Sequence, residues 1–446
     1  MSSVIYAKPP TRVSSPNAAG NQKLAGYVLY ALLLLMTLGP LLALGNDTHY
    51  TGDGNPIRQF GYIGIYCMSV AAIGSKANIR RLFVLPLSLT LVFLWCAFTL
   101  RFSVSPAIGA RRLLLTLVIA MTIFSMTQIG GYERTIVIVK RVLLWTLVAN
   151  WVMVVFLPQI GIHQTAEVAG FGSSPDIVGA WKGIVAHKNF AGSLCALTIL
   201  LYALDKGTMS LWGRFLVIVF SGVFLLGSHS KTSGALVVVA VCVGLIYRNI
   251  ESRFRTQSIA AILGLMLAVA IAVYVKRDAI MAFVRSPDGL TGRTAIWNVL
   301  LRYWSDHAHP AGFGSFWNIG SEILMLHYVK PKSWLAGVPE AHDGYIDLLV
   351  QIGIPGLILT VLALVAIPVF RLVWSPTVSR TNGAVALAIV LFCAAHNFAE
   401  SSFLDRDQII DVFLFLGVAL SGVLTSPATS SQPAYRIWRL KDPSLA

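Results

Sequence analysis

Charge is scarce in this chain. Only 12% of its 446 residues are Asp, Glu, Lys or Arg, whereas soluble domains average about 25%. That shortage excludes an ordinary water-soluble globule. Acids are the scarcer sign, 19 against 34 Lys and Arg, leaving a formal charge of +15. Cysteine is nearly absent: Cys67, Cys96, Cys195, Cys242 and Cys393 fall inside apolar runs with no CxxC spacing. This excludes a disulfide scaffold and a thiolate metal site, and the five read as small buried hydrophobes. P-loop, HExxH and Cys/His ligand spacings are all missing. No DxD motif precedes a soluble domain, which argues against a cytosolic nucleotide-sugar transferase.

What fills the chain is hydrocarbon, with 56% hydrophobic residues and a mean hydropathy of +0.73. The apolar residues form about 12 runs, each near the length a helix needs to cross roughly 30 Å of hydrocarbon. They lie at 24–44, 60–74, 82–99, 112–130, 142–160, 190–204, 211–227, 235–250, 258–275, 346–370, 383–398 and 408–424. The run at 24–44 is too long for the core of a cleaved signal and reads as a first permanent span. With the N-terminus inside, Lys and Arg gather on the cytoplasmic side and the acids lie mainly outside. The excess charge is thus a topology signal rather than a nucleic-acid patch. The expectation is an all-α polytopic membrane protein: a cytoplasmic tail at 1–23, nine spans within 24–275, a periplasmic loop at 276–345, three spans within 346–424, and a cytoplasmic tail at 425–446. The loop carries Trp297, Trp304, Trp317 and Trp334, the composition of a folded, partly helical segment at the membrane surface.

Four polar stretches could carry chemistry. In "LTGRTAIWNVLLRYWSDH" (290–307), apolar residues at helical spacing predict an amphipathic helix capped by Thr291. Arg293 would lie in its first turn with Trp297 one turn later, a good anion clamp or else an interfacial anchor. "GIVAHKNFAG" (183–192) sets His187, Lys188 and Asn189 at the outer entrance of a span, and "GSHSKTSG" (227–234) adds Lys231 between two spans. In "VPEAHDGYIDLLVQIGIPGL" (338–357), Pro339 suits the first position of a helix and Glu340 and Asp343 its first turn. The positive helix end would then keep His342 neutral, fit to act as a general base or to hydrogen-bond at a wet interface. In "AAHNFAESSFLDRD" (394–407), Glu400 is open to a cation, to Arg406 or to solvent. Together Lys188, Lys231, Arg293, Arg302 and His342 concentrate cationic groups on the outer side, a pattern that suits a pyrophosphate-bearing lipid.

Taken in order, "GIVAHKNFAG", "SHSKTSGAL", "LTGRTAIW" with "HPAGFGSFW", "AHDGYIDLLVQIGIPG" and "HNFAESSF" resemble the bacterial O-antigen ligase and polymerase superfamily, especially its exopolysaccharide-polymerase branch. The resemblance covers roughly residues 180–405. It implies a GT-C-like membrane glycosyltransferase of the inner membrane with its site facing the periplasm. The donor would be an undecaprenyl-pyrophosphate-linked glycan and the acceptor a sugar hydroxyl, with no metal or cofactor. Carried over, Arg293 would contact the pyrophosphate, and His342 would activate or orient the acceptor. Lys188 and Lys231 would supplement the positive pocket, with His187, Asn189, Arg302, Trp297, Asp343 and Glu400 as further substrate-binding candidates. A flippase and a chain-length regulator are the protein partners it suggests. The competing readings are a ligase that moves finished glycan onto lipid A core or another acceptor, and a transporter or flippase of the lipid-linked unit.

Overall fold

The computed structural model describes residues 16–42, 56–73, 84–165, 167–168, 172–173, 177–205, 207, 209–249, 275, 292–317, 319, 324–330, 333–338, 340–405 and 408–426. Its helices are α1 (Pro16–Leu42), α2 (Pro56–Ile73), α3 (Leu87–Thr99), α4 (Pro106–Phe156), α5 (Lys188–Leu204), α6 (Leu211–Gly227), α7 (Lys231–Asn249), α8 (Arg293–Asp306), α9 (Gly344–Trp374), α10 (Arg380–His396) and α11 (Ile409–Thr425). A two-residue antiparallel pair, Glu167–Val168 with Gly172–Ser173, is the strand content among the described residues. The expected span at 258–275 lies outside them. Helix α1 starts at Pro16, ahead of the apolar run, because proline at the first helical position gives up no hydrogen bond.

Among the described residues, α4, α7 and α9 are long and apolar enough to cross a membrane, and α2, α3, α5, α6, α10 and α11 are shorter apolar helices. The helices reverse the soluble pattern of polarity. Phe60, Leu87, Phe156, Trp212 and Leu226 are exposed, while Asn397, Glu400 and Asp411 are buried. That is the arrangement of a lipid-facing bundle with its polar groups turned inward.

Two glycines break long helices in the same way. Gly131 in α4 (φ 72°, ψ 177°) and Gly353 in α9 (φ 71°, ψ 179°) adopt a conformation open essentially to glycine. Each half of α4 has about 25 residues, roughly 37 Å, so the break turns one 51-residue helix into two span-length pieces. In α9 the break changes where the site stands. Pro355 brings no N–H for the carbonyl four residues back, and at the Gly353 break the carbonyls of Val350 and Ile352 accept from Ala311 N at 2.9 Å and Trp95 Nε1 at 2.9 Å. Residues 344–352 therefore form a short helix ahead of the long apolar one.

That short helix is part of a second core. Ile296, Leu300, Tyr303, Phe316, Trp317, Met325, Ala341 and Val350 pack together apart from the main helical core. Arg112 on α4 ties this layer to the bundle through the carbonyls of Gly314 at 2.6 Å and Trp317 at 2.7 Å. The described residues of the aromatic loop thus form a folded cap on one end of the bundle.

Candidate active site

At the capped end, the entrances of α5, α8 and α9 meet the turn between α10 and α11. Helix α9 begins at Gly344 and not at Pro339, which lies outside the described residues. Asp343 is its N-cap, with Oδ1 accepting from Tyr345 N at 2.9 Å and Ile346 N at 3.0 Å. Glu340 and His342 consequently precede the helix. Helix α8 begins at Arg293 behind a left-handed Gly292 with no side-chain cap, and Thr291 lies outside the described residues.

The segment carrying His342 is fixed on both sides. Trp297 Nε1 donates to Ala341 O at 3.0 Å, Ser401 Oγ accepts from Asp343 N at 3.2 Å, and Asn397 O accepts from Gly344 N at 2.7 Å. His342 itself sits at φ 51°, a conformation costly for a residue with a Cβ, typically about 1–3 kcal/mol, and one that recurs at functional sites. Asn397 organises the facing turn. Its Oδ1 accepts from Ser402 N, Ser402 Oγ and Phe403 N, each at 3.0 Å, and its Nδ2 donates to Cys393 O at 2.9 Å. Replacing Asn397 by alanine leaves these buried groups without partners. We expect the protein to lose about 3 kcal/mol of stability, read as a lowered thermal midpoint in detergent. An unchanged midpoint would show that the turn does not depend on it.

Glu400 is the hub of the site. Buried in that turn, it accepts from Asn189 Nδ2 at 2.6 Å and Arg293 Nη2 at 3.4 Å through Oε1, and stands 3.2 Å from His342 Nδ1 through Oε2. The same Nδ1 is 3.0 Å from Oε1 of Glu340. Nε2, on the opposite edge of the ring, has no hydrogen-bond partner among the described residues. Two carboxylates face one imidazole and one guanidinium, so the charges balance when the imidazole is protonated.

The proton affinities follow from this packing. Burial disfavours the His342 imidazolium, but Glu340 and Glu400 outweigh it and raise its pKa to about 10. This corrects the expectation of a neutral His342: the carboxylates, not a helix dipole, set its charge. Burial also pushes Glu400 upward, yet His342 and Arg293 hold it well below the usual carboxylate range. His187, the N-cap of α5, is lowered to about 4 by burial, against the pull of Glu400 and with Lys188, His342 and Lys182 adding to the effect. Its Nδ1 accepts from Asn189 N at 3.3 Å, which caps α5.

The structure thus brings Arg293, His342, Glu400, Asn189 and His187 together, with Trp297 bracing from below. Lys188 stands half-buried beside them. Lys231 is exposed at the start of α7, and its side chain makes no hydrogen bond or ion pair with a described residue. Arg302 stands apart, exposed on α8, where it pairs with Asp306 at 3.8 Å and covers Tyr328. Asp343 is occupied as a helix cap. Glu400 is paired with Arg293, and Arg406 lies outside the described residues. Sequence reasoning took Glu340 for a helix-start acid and passed over Asn397 and Lys182; the single signal available for Glu340 was its place two residues before His342.

Glu340, His342 and Glu400 each offer one ligand atom, all within 4.8 Å of one another. A divalent ion would need the imidazole unprotonated and would add charge to carboxylates already matched by Arg293 and His342. The donor set fits a shared proton better than a metal.

Residues 215–361 match the family model described as O-antigen ligase. None of the curated proteins matches the chain. The matched segment runs from α6 into α9 and contains Arg293, Glu340 and His342, while Asn189 and Glu400 join the site from outside it. The match falls on a chain that carries helices long and apolar enough to cross a membrane. Residues 215–361 are thus similar to the O-antigen ligase family, over about a third of the chain.

Proposed function

We propose that the chain polymerises undecaprenyl-pyrophosphate-linked oligosaccharide repeats into an exopolysaccharide, capsular or O-antigen polysaccharide. The reaction takes place at the outer face of the inner membrane. The observation that carries this reading is the convergence of Arg293 and a cationic His342 on Glu400 at the capped end of an apolar bundle. Glycosyl transfer from such a donor breaks the bond between the anomeric carbon and a pyrophosphate oxygen. The leaving group takes up negative charge, and a guanidinium and imidazolium held in place by Glu400 stabilise it with little reorganisation. Arg293 suits this role because its planar fork can hold two phosphate oxygens while one N–H stays on Glu400. No metal has to supply the charge.

His342 acts here as a positive group that orients donor and acceptor. Its pair with the carboxylates is intact below its raised pKa and is lost as pH rises through about 10. A flippase that delivers the repeats and a chain-length regulator are the partners this role requires.

The test uses purified protein in detergent with lipid-linked repeats and a chelator throughout. We expect elongated lipid-linked chains and no loss of rate on adding EDTA. Transfer solely to an added lipid A core acceptor would make the chain a ligase. A rate restored only by a divalent ion would overturn the metal-free scheme.

A further inference from the structure

We propose that Glu340 is a catalytic residue of this site, its carboxylate taking the proton of the acceptor sugar hydroxyl while His342 and Glu400 remain an ion pair. The inference rests on the glycosyl-transfer reading above. It begins from an asymmetry between the two carboxylates that share one ring nitrogen. Glu340 Oε1 lies 3.0 Å and Glu400 Oε2 3.2 Å from His342 Nδ1, and a single N–H cannot serve both fully. Glu400 has further donors in Asn189 at 2.6 Å and Arg293 at 3.4 Å. Among the described residues Glu340 has His342 alone as a donor, and its side chain keeps 13% exposure. Glu400 is therefore the carboxylate stabilised as an anion. Glu340, desolvated beside another anion with part of one hydrogen bond, is the one that gains from a proton.

The ionisable groups around the cluster leave Glu340 the carboxylate with the fewest donors among the described residues. On the segment before α9 these are Glu340, His342 and Asp343, whose Oδ1 is taken by two helix N–H groups. Arg293 comes from α8 and has no acceptor atom. Glu400 comes from the α10–α11 turn, next to His396, whose Nε2 meets Ser233 Oγ at 3.2 Å. Helix α5 brings Lys188 and His187, the latter already accepting from Asn189 N. Burial is the largest influence raising Glu340, His342 partly offsets it, and Glu400 adds to it, whereas Glu400 itself is held low. Two neighbouring carboxylates pushed in opposite directions is the pattern by which acid–base roles divide in other active sites.

The step balances. The acceptor oxygen forms a bond to the anomeric carbon as the bond to the pyrophosphate oxygen breaks. The electron pair leaves with the polyprenyl pyrophosphate, whose charge meets Arg293 and the His342 imidazolium. The hydroxyl proton passes to Glu340 and from there to solvent.

The test compares wild-type protein, Glu340→Gln and Glu340→Asp in detergent with lipid-linked repeats, measuring kcat, donor KM and pH dependence. We expect Glu340→Gln to lower kcat by about 10²–10⁴-fold with donor KM within about threefold, and Glu340→Asp to recover part of the rate. The wild-type rate should fall as pH drops through a pKa above the usual carboxylate range, and that limb should vanish in Glu340→Gln. A wild-type kcat in Glu340→Gln, or a loss confined to KM, would overturn the proposal. So would a limb still climbing to about pH 10, where His342 titrates. Wild-type protein that forms no product would instead refute the glycosyl-transfer reading itself.

Discussion

Glu400→Ala is expected to reduce product formation by at least about 10³-fold, because it removes the acceptor on which the rest of the site is built. Asn189, Arg293 and His342 all lean on this one carboxylate, at 2.6, 3.4 and 3.2 Å. Truncation takes the carboxylate partner from a partly buried guanidinium and a partly buried amide, each costing up to about 1–3 kcal/mol. It also halves the negative charge facing His342, so the imidazole titrates nearer neutrality. Glu400→Gln keeps the shape but can place an N–H₂ opposite the Nδ1 proton. We expect it to retain the fold and still lose most of the rate. Initial rates with thermal midpoints for both variants separate the effects. Near-normal rates in Glu400→Gln would show that its charge is not used.

The second large effect is expected at Arg293. Arg293→Ala should lower the rate by about 10²–10³-fold, the scale of removing one preorganised donor from developing negative charge. The more telling variant is Arg293→Lys. It keeps the positive charge but cannot donate to Glu400 and grip two phosphate oxygens in one plane. If Arg293 holds the pyrophosphate by its fork, lysine should recover less than a tenth of the wild-type rate. If Arg293 only neutralises Glu400, lysine should restore nearly all of it. Rates across a donor titration decide between the two.

Much of the scaffold was legible in the apolar runs. The run at 211–227 coincides with α6, and those near 190, 235, 383 and 408 fall within a few residues of α5, α7, α10 and α11. Hydropathy reads length and composition well because a lipid-facing helix must satisfy its backbone internally. It does not read breaks. Gly131 and Gly353 look like any other glycine in an apolar run, yet both take a positive φ. The start of α9 was misplaced for a local reason: Pro339 and Asp343 both signal a helix entrance, and Asp343 prevails because its carboxylate reaches two free N–H groups.

The site was legible only in pieces. Arg293, His342, Lys188 and Asn189 stood out because cations and polar tips are rare at the mouths of apolar helices. Their assembly could not be read, since Glu400 lies 58 residues from His342, 107 from Arg293 and 211 from Asn189. The charge of His342 was misjudged for the same reason. Its helix end was visible in the sequence and its carboxylate partners were not.

The account is tested most directly by following both products of one reaction: free polyprenyl pyrophosphate and extended glycan, released by purified protein from lipid-linked repeats in detergent, where no gradient exists. We expect one pyrophosphate lipid to be freed for each new glycosidic linkage, and both products to be lost in His342→Ala and Arg293→Ala variants that still fold. Flipping of the lipid-linked unit in liposomes, with no pyrophosphate lipid released, would contradict the account.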